Sequence, residues 1–140
     1  MMTMAATFIT ALQLAALSQI ESGDRDRMIG RQGEVSRYQI MPAVWRKECR
    51  GFFLLHQTPP ELEPLATAVA RGLWERRVQE FTAKQKRYPT RTELYLLWHR
   101  PGRVLTPPAL ERERAERFAN LLADLELGPE RTSLTTDGHG

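Results

Sequence analysis

A chain of 140 residues is long enough for one packed domain and too short for two of ordinary size. Its hydrophobic content of 41% excludes global disorder, and its single cysteine, Cys49, excludes an internal disulfide and a cysteine-based metal site. The net charge of +3 and the pI of about 9.4 favour an anionic partner such as nucleic acid, a membrane surface or an anionic wall polymer.

The apolar start of the chain, from Met1 to Ile20, lacks the basic residues that begin a signal peptide and is too polar for a membrane span. We therefore expect neither an export signal nor a membrane span here. The segment instead predicts a first helix from about residue 5 to Ser22, with Gly23 as its end. The helical spacing predicts a buried face made of Ile9, Leu12, Ala16, Leu17 and Ile20.

Two helices are predicted in the middle of the chain. Pro42 suits the first turn of a helix over 42–50, which Gly51 ends. Thr58 and Glu61 match a capping box, in which each side chain satisfies the backbone N–H of the other. That box begins a long helix that runs to about residue 85.

Two more helices follow. Thr90 and Glu93 form a second capping box, and the helix that they begin stops at Pro101. The last helix begins at about Thr106 and ends at Gly128. The polar tail over 129–140 is predicted to be disordered.

The helical patterns together predict an all-α fold of about five or six helices around one core, with little or no sheet. One domain is expected over 1–128. Trp45 and Trp74 are expected in its core, while Trp98 suits the core or a site equally well. The alternating Glu and Arg residues over 111–117 are interpreted as a solvated helix face.

The first helix ends on a residue that could carry acid chemistry. Glu21 follows Ile20 and lies one turn from the helix end, where it can be partly buried. Removal from water favours the protonated form of a carboxyl group, which suits a general acid near neutral pH. For a lone Glu, however, an exposed helix-end residue is the more common outcome.

The motifs around Glu21 favour a general acid over an exposed helix-end residue. Glu21-Ser22-Gly23, a glycine-containing loop and then Tyr38-Gln39-Ile40-Met41-Pro42 resemble the signature of soluble lytic transglycosylases and goose-type lysozymes, within the lysozyme-like superfamily. Trp98-His99-Arg100-Pro101-Gly102 falls where that family has a Tyr-Asn-Ala-Gly-Pro-like motif. The resemblance covers about residues 8–50 and 90–105.

The resemblance implies a lysozyme-like fold and cleavage of peptidoglycan or a related N-acetylated polysaccharide. It identifies Glu21 as the catalytic acid. It further implies a substrate-binding set of Ser22, Ser36, Tyr38, Gln39, Met41, Trp98 and His99. In the family a Tyr holds the Glu, and Trp98 and His99 stand at the corresponding place here. Ser36 and Arg37 replace a small residue and a glycine, which predicts a more crowded and more charged cleft.

The two possible mechanisms differ in the number of catalytic carboxylates that they need. A hydrolase normally uses two, and Glu34, in the loop that leads back to the cleft, is the candidate partner of Glu21. Asp24 and Asp26 are interpreted as solvated. A lytic transglycosylase needs Glu21 alone, and we favour this mechanism.

Two further classes remain as alternatives: a catalytically weak glycan-binding module, and a helical nucleic-acid-binding protein. The second is suggested by the Arg content and a helix–turn–helix-like passage over 91–110, but the prolines within it disfavour a basic recognition helix. We therefore expect no nucleic-acid partner. No His pair has metal-ligand spacing, so neither a metal nor another cofactor is expected. The predicted function implies a monomer in the cell envelope or periplasm.

Overall fold

The computed structural model describes residues 8–48 and 63–137, with 129–137 described by their backbone. These ranges contain α1 (Ala11–Ser22), α2 (Pro42–Glu48), α3 (Glu63–Gln85), α4 (Arg91–His99) and α5 (Ala109–Asp137), with a short 3-10 helix, Pro101–Arg103, after α4. Their β pairing is limited to one bridge, between Val35 and Ile40. The predicted all-α class with little or no sheet is confirmed.

Helix α1 begins later than predicted because a capping box at its start determines its first residue. The Thr10 hydroxyl accepts a hydrogen bond from the Gln13 N–H at 3.1 Å, and the Gln13 side chain accepts one from the Thr10 N–H at 2.9 Å. The helix therefore starts at Ala11, and the predicted start at residue 5 lies outside the described residues. Its end is as predicted, since Gly23 adopts the left-handed conformation with φ 65°.

The buried face of α1 also differs from the prediction. Leu12 is 41% exposed, and Leu14, which was not predicted, is buried, whereas Ile9, Ala16 and Leu17 are buried as predicted. The helix is apolar on several sides, so spacing alone does not select one face. Its packing against α5 decides which side is buried.

Helices α2 and α3 agree with the predictions where the structure describes them. Helix α2 begins at Pro42, and α3 ends at Gln85. The predicted end of α2 at Gly51 and the predicted Thr58–Glu61 capping box lie outside the described residues.

The predicted capping box at the start of α4 is confirmed. Thr90 Oγ1 accepts from the Glu93 N–H at 3.2 Å, and Glu93 Oε1 accepts from the Thr90 N–H at 2.9 Å. Arg87 donates two further hydrogen bonds to the Glu93 carboxylate, at 2.7 and 2.8 Å. Every residue from Leu94 to Trp98 is buried, so α4 is the central helix of the core.

The ion pair at this cap predicts a pH-dependent stability. The hydrogen bonds from Arg87 lower the pKa of Glu93 from 4.5 to about 2. A lowered folded-state pKa means that the stabilisation is present above about pH 4.5 and is lost as the pH falls toward about 2. We expect Glu93→Gln to lower Tm by a few °C at neutral pH. Thermal unfolding should find no difference from wild type at about pH 2.

A control for this prediction is Glu113→Gln, which removes an exposed carboxylate from α5. It should leave Tm unchanged at both pH values. A Tm difference between Glu93→Gln and wild type that is equally large in acid would contradict the assigned ion pair.

Trp74 joins α3, α4 and α5 at the centre of the core. Its ring centroid lies 6.0 Å from that of Trp98 and 6.0 Å from that of Phe118, both in edge-on geometry. Its indole N–H donates to the Leu94 carbonyl at 2.8 Å. Trp45 is also fully buried, so the prediction that Trp45 and Trp74 are core residues is confirmed.

Helix α5 begins at Ala109, three residues after the predicted Thr106, and Gly128 interrupts it with φ 57° and ψ −143°. The backbone is helical again to Asp137, and the last three residues of the tail expected to be disordered over 129–140 lie outside the described residues. Pro129 suits the first turn of such a continuation, because its missing N–H needs no partner there. Neither 8–48 nor 63–137 contains a helix long and apolar enough to cross a bilayer.

Candidate active site

A cleft of about 500 Å³ lies where the ends of α1 and α4 meet the loop between α1 and α2. This volume is in the range of small-ligand sites. The cleft brings together the predicted residues Glu21, Glu34, Gln39, Met41, Trp98 and His99. It is also lined by Arg31, Arg77, Arg100, Arg114 and Glu111, which the sequence did not single out.

Glu21 is nearly buried in the wall of this cleft, with 6% of its side chain exposed. The Tyr95 hydroxyl donates a hydrogen bond to Glu21 Oε1 at 2.5 Å. His99 Nδ1 lies 3.5 Å from the same oxygen. Arg114 Nη2 lies 3.7 Å from the other oxygen, Oε2, which is longer than a hydrogen bond. The two carboxyl oxygens therefore have different surroundings.

Tyr95 donates the hydrogen bond that orients Glu21, and it was not predicted from the sequence. Burial, with the negative charge of Glu21 as the next cause, raises the pKa of Tyr95, so the hydroxyl stays a donor. The Tyr95 ring stacks on His99 with centroids 5.4 Å apart. The two residues are four apart in α4 and so share a helix face, which is the signal that could have found Tyr95.

Trp98 and His99, the two residues predicted to lie near Glu21, therefore have different roles. His99 lies beside Glu21 as predicted. Trp98 contributes to the cleft wall but is almost fully buried, and its indole N–H donates to the Tyr38 carbonyl at 3.2 Å. Trp98 thus connects α4 to the loop after α1, and the hydroxyl that contacts Glu21 comes from Tyr95.

Three predicted substrate-binding residues, Ser22, Ser36 and Tyr38, are buried and are not among the cleft-lining residues. Ser22 Oγ donates to the Arg37 carbonyl at 2.7 Å. Ser36 Oγ accepts from the Tyr38 N–H at 3.1 Å. The Tyr38 hydroxyl is hydrogen-bonded to Thr67 Oγ1 at 2.8 Å. All three stabilise the loop instead of facing the cleft.

A tight turn between Val35 and Ile40 positions Gln39. Two backbone hydrogen bonds of 2.8 and 2.7 Å join Val35 and Ile40, and the turn needs positive φ at Ser36 and Gln39 (72° and 53°). The Gln39 amide donates to the Met28 and Ser36 carbonyls at 3.1 and 2.8 Å. Gln39 is thereby fixed in the cleft wall, as the sequence predicted for its position.

Glu34 and Gln39 both pack over Gly30. A Cβ atom at Gly30 would lie 2.0 Å from Glu34 Oε2 and 2.5 Å from Gln39 Oε1, so only glycine lets both side chains lie this close to the loop backbone. The Gln32 N–H donates to Glu34 Oε1 at 2.9 Å. Glu34 is therefore held in the cleft lining by the loop itself.

The expectation that Arg37 would charge the cleft is wrong. Arg37 pairs with Asp26 through two hydrogen bonds of 2.8 and 3.2 Å and is not among the lining residues. Asp24 is also engaged, since its Oδ1 accepts from the Ser18 hydroxyl at 2.6 Å. Asp26 and Asp24 therefore brace the loop and are not simply solvated.

The charged run over 111–117 is only partly a solvated face. Arg112 and Glu113 are exposed, but Glu111 and Arg114, one helical turn apart, line the cleft. Glu111 Oε1 lies 3.8 Å from Arg100 Nε. The interpretation from sequence was incomplete because alternating charges do not reveal which side of a helix meets the protein.

Arg77 provides the cleft with a further positive charge. Its Nη1 donates to the Leu97 and Trp98 carbonyls at 3.1 and 2.8 Å, where α4 leaves carbonyl groups without helical partners. Burial lowers the pKa of Arg77, which is still fully charged at neutral pH because an arginine starts near 12.5. Among the described residues, the cleft is thus lined by four arginines and three carboxylates, an excess of one positive charge.

Within the described residues, no three His, Cys, Asp or Glu side chains group as candidate metal ligands. No family model matches the chain, and no curated protein or solved structure matches it significantly.

Proposed function

We propose that the protein has a lysozyme-like fold and cleaves the glycan strands of peptidoglycan as a lytic transglycosylase. The observation that carries this proposal is the asymmetric environment of Glu21. Its Oε1 accepts the hydrogen bond from Tyr95, while Oε2 has no comparably short contact to Arg114. A proton on Oε2 is thus available for transfer to a ligand in the cleft.

The proposed reaction has two steps. Glu21 donates its proton to the glycosidic oxygen, the bond from that oxygen to C1 of the sugar breaks, and the substrate's own N-acetyl oxygen stabilises C1. The Glu21 carboxylate then removes the proton of the 6-hydroxyl of the same sugar, whose oxygen bonds to C1 and closes a 1,6-anhydro ring. Glu21 ends protonated, and no water is consumed.

The charge of the cleft supports a glycan that carries carboxylates. Arg31, Arg77 and Arg100 face this space together with two carboxylates, Glu34 and Glu111, while Arg114 lies against Glu21. Arginine binds carboxylates through paired N–H donors, and peptidoglycan carries carboxylates on its peptide stems. An uncharged N-acetylated polysaccharide such as chitin would gain less from these arginines. The activity assigns the protein to the cell envelope or periplasm, where it would act as a monomer without a cofactor.

Product analysis tests the proposal. Purified peptidoglycan is digested with the full-length protein, and the products are identified by mass spectrometry, with the Glu21→Gln protein as the blank. We expect anhydro-muropeptides from the wild type alone. Products with reducing ends would instead establish a hydrolase, and no products together with retained peptidoglycan binding would favour the binding module.

Substitution of the other cleft carboxylates separates the two enzymatic mechanisms. Because the proposed reaction uses Glu21 alone, Glu34→Gln and Glu111→Gln should each keep at least about a tenth of the wild-type rate. A hydrolase that needs a second carboxylate would lose at least about a hundredfold with one of them. The measurement is the initial rate of muropeptide release, with circular dichroism to verify that each variant is folded.

A further inference from the structure

Arg114 reaches the buried side of the cleft from α5, and one of its hydrogen-bond donors is left without a partner. Its Nε is buried and makes no hydrogen bond. Its Nη2 lies 3.5 Å from the Ile20 carbonyl oxygen and 3.7 Å from Glu21 Oε2. A buried donor without a partner is unfavourable, so its retention calls for an explanation.

The helix that carries Arg114 cannot easily move to improve these contacts. Ala115 and Phe118 are fully buried on the same helix, and Phe118 packs edge-on against Trp74 and at an angle against Tyr95. The backbone of α5 is therefore fixed. The Arg114 side chain is long and flexible, so a shift of its guanidinium is the easier adjustment.

The ionisation of Glu21 changes what Arg114 faces. A protonated Oε2 is a neutral hydroxyl oxygen and only a weak acceptor, so it attracts the guanidinium little. An ionised Oε2 is an acceptor, and a guanidinium forms short, charge-assisted hydrogen bonds with carboxylates. The separation of 3.7 Å is small enough for the Arg114 side chain to close after the proton has left.

We infer that Arg114 is a positioning residue that stabilises the ionised form of Glu21 between the two steps of the reaction. This inference rests on the proposed function. The other charged or titratable groups around Glu21 are Tyr95 and His99 on α4, while Glu111, one turn before Arg114, lies against Arg100. Arg114 is thus the cation that contacts Oε2, and it acts on the substrate through Glu21.

The test compares Arg114→Gln, Arg114→Lys and the control Arg117→Gln, which removes the same charge from an exposed position on α5. Initial rates of muropeptide release are measured against substrate concentration. With Arg114→Gln, kcat should fall about tenfold, the loss expected when one charge-assisted hydrogen bond is removed, with KM within about twofold. Arg114→Lys should recover most of the loss because it keeps the charge. Arg117→Gln should match wild type.

A second measurement does not depend on activity. The side-chain carboxyl carbon of Glu21 is followed by 13C NMR as the pH is changed, and it is assigned by its absence in Glu21→Gln. The titration curve should move to higher pH in Arg114→Gln relative to wild type, and it should not move in Arg117→Gln. If the wild type releases no products, the proposed function fails, but this titration still tests the coupling between Arg114 and Glu21.

Three results would overturn the inference. The first is a titration midpoint that Arg114→Gln leaves unchanged. The second is a rise in KM with kcat intact, which would make Arg114 a substrate-binding residue. The third is an Arg114→Lys variant as slow as Arg114→Gln, because the proposed role depends on the charge.

Discussion

We expect Glu21→Gln to lower the rate of muropeptide release by about a thousandfold, the loss that follows when a general acid is removed. The amide has nearly the same shape as the carboxyl group, but it cannot donate a proton to the glycosidic oxygen or accept one from the 6-hydroxyl. Its oxygen can still accept the hydrogen bond from Tyr95. Both steps of the proposed reaction are therefore lost while the packing around residue 21 is kept.

Measurements of Tm test whether the lower rate of Glu21→Gln comes from the lost acid group or from a loss of folding. Because the amide has nearly the same shape as the carboxyl group and keeps the hydrogen bond from Tyr95, Glu21→Gln should fold with a Tm close to that of wild type. The matched control is Glu113→Gln, on an exposed part of α5, which should retain the wild-type rate. A Glu21→Gln protein that is folded and within tenfold of the wild-type rate would exclude Glu21 as the catalytic acid.

The second large effect is expected for Tyr95→Phe. Removing the hydroxyl deletes the 2.5 Å hydrogen bond to Glu21 Oε1 and leaves the carboxyl free to turn away from its working orientation. A hydrogen bond to a charged group contributes about 1.5–3 kcal/mol, which corresponds to a fall in kcat of about tenfold to a hundredfold. The measurement is kcat for muropeptide release at neutral pH, where the raised pKa keeps Tyr95 protonated in the wild type.

The control for Tyr95→Phe is Tyr88→Phe. Tyr88 is half-buried, and its hydroxyl is hydrogen-bonded to Gln13, outside the cleft, so the same deletion should leave kcat unchanged.

The effect of Tyr95→Phe on stability provides a second comparison. Tyr95→Phe should destabilise the wild type more than it destabilises Glu21→Gln, since an unpartnered neutral amide is less unfavourable than an unpartnered carboxylate. Equal losses of Tm in the two backgrounds would contradict the assigned hydrogen bond.

Local sequence determined most of the helix ends. Gly23 ends α1 because a glycine tolerates its positive φ, and Thr90 with Glu93 begins α4 because both partners of the capping box lie within one turn. The Thr10–Gln13 capping box at the start of α1 is equally local, although it was not predicted. Glu21 was also identified correctly as a cleft residue, because its motif is continuous in the chain.

Contacts between distant segments were not predictable in the same way. Tyr95 and Glu21 are separated by 74 positions, and the hydrogen bond between them depends on how α4 is rotated in the core. That rotation follows from the packing of Trp74 against Trp98 and Phe118. Motif order pointed to Trp98, whereas the helix face that Tyr95 shares with His99 points to Glu21.

The sequence by itself determined the all-α class and several helix ends, because these depend on hydrogen bonds and spacings within a few residues. The motif around Glu21 also predicted the place of this residue in the cleft. Only the tertiary structure decided that Tyr95 and Arg114 contact Glu21, and that Ser22, Ser36 and Tyr38 support the loop. The physical reason is that a helix or loop has several possible faces, and burial against distant residues selects one of them.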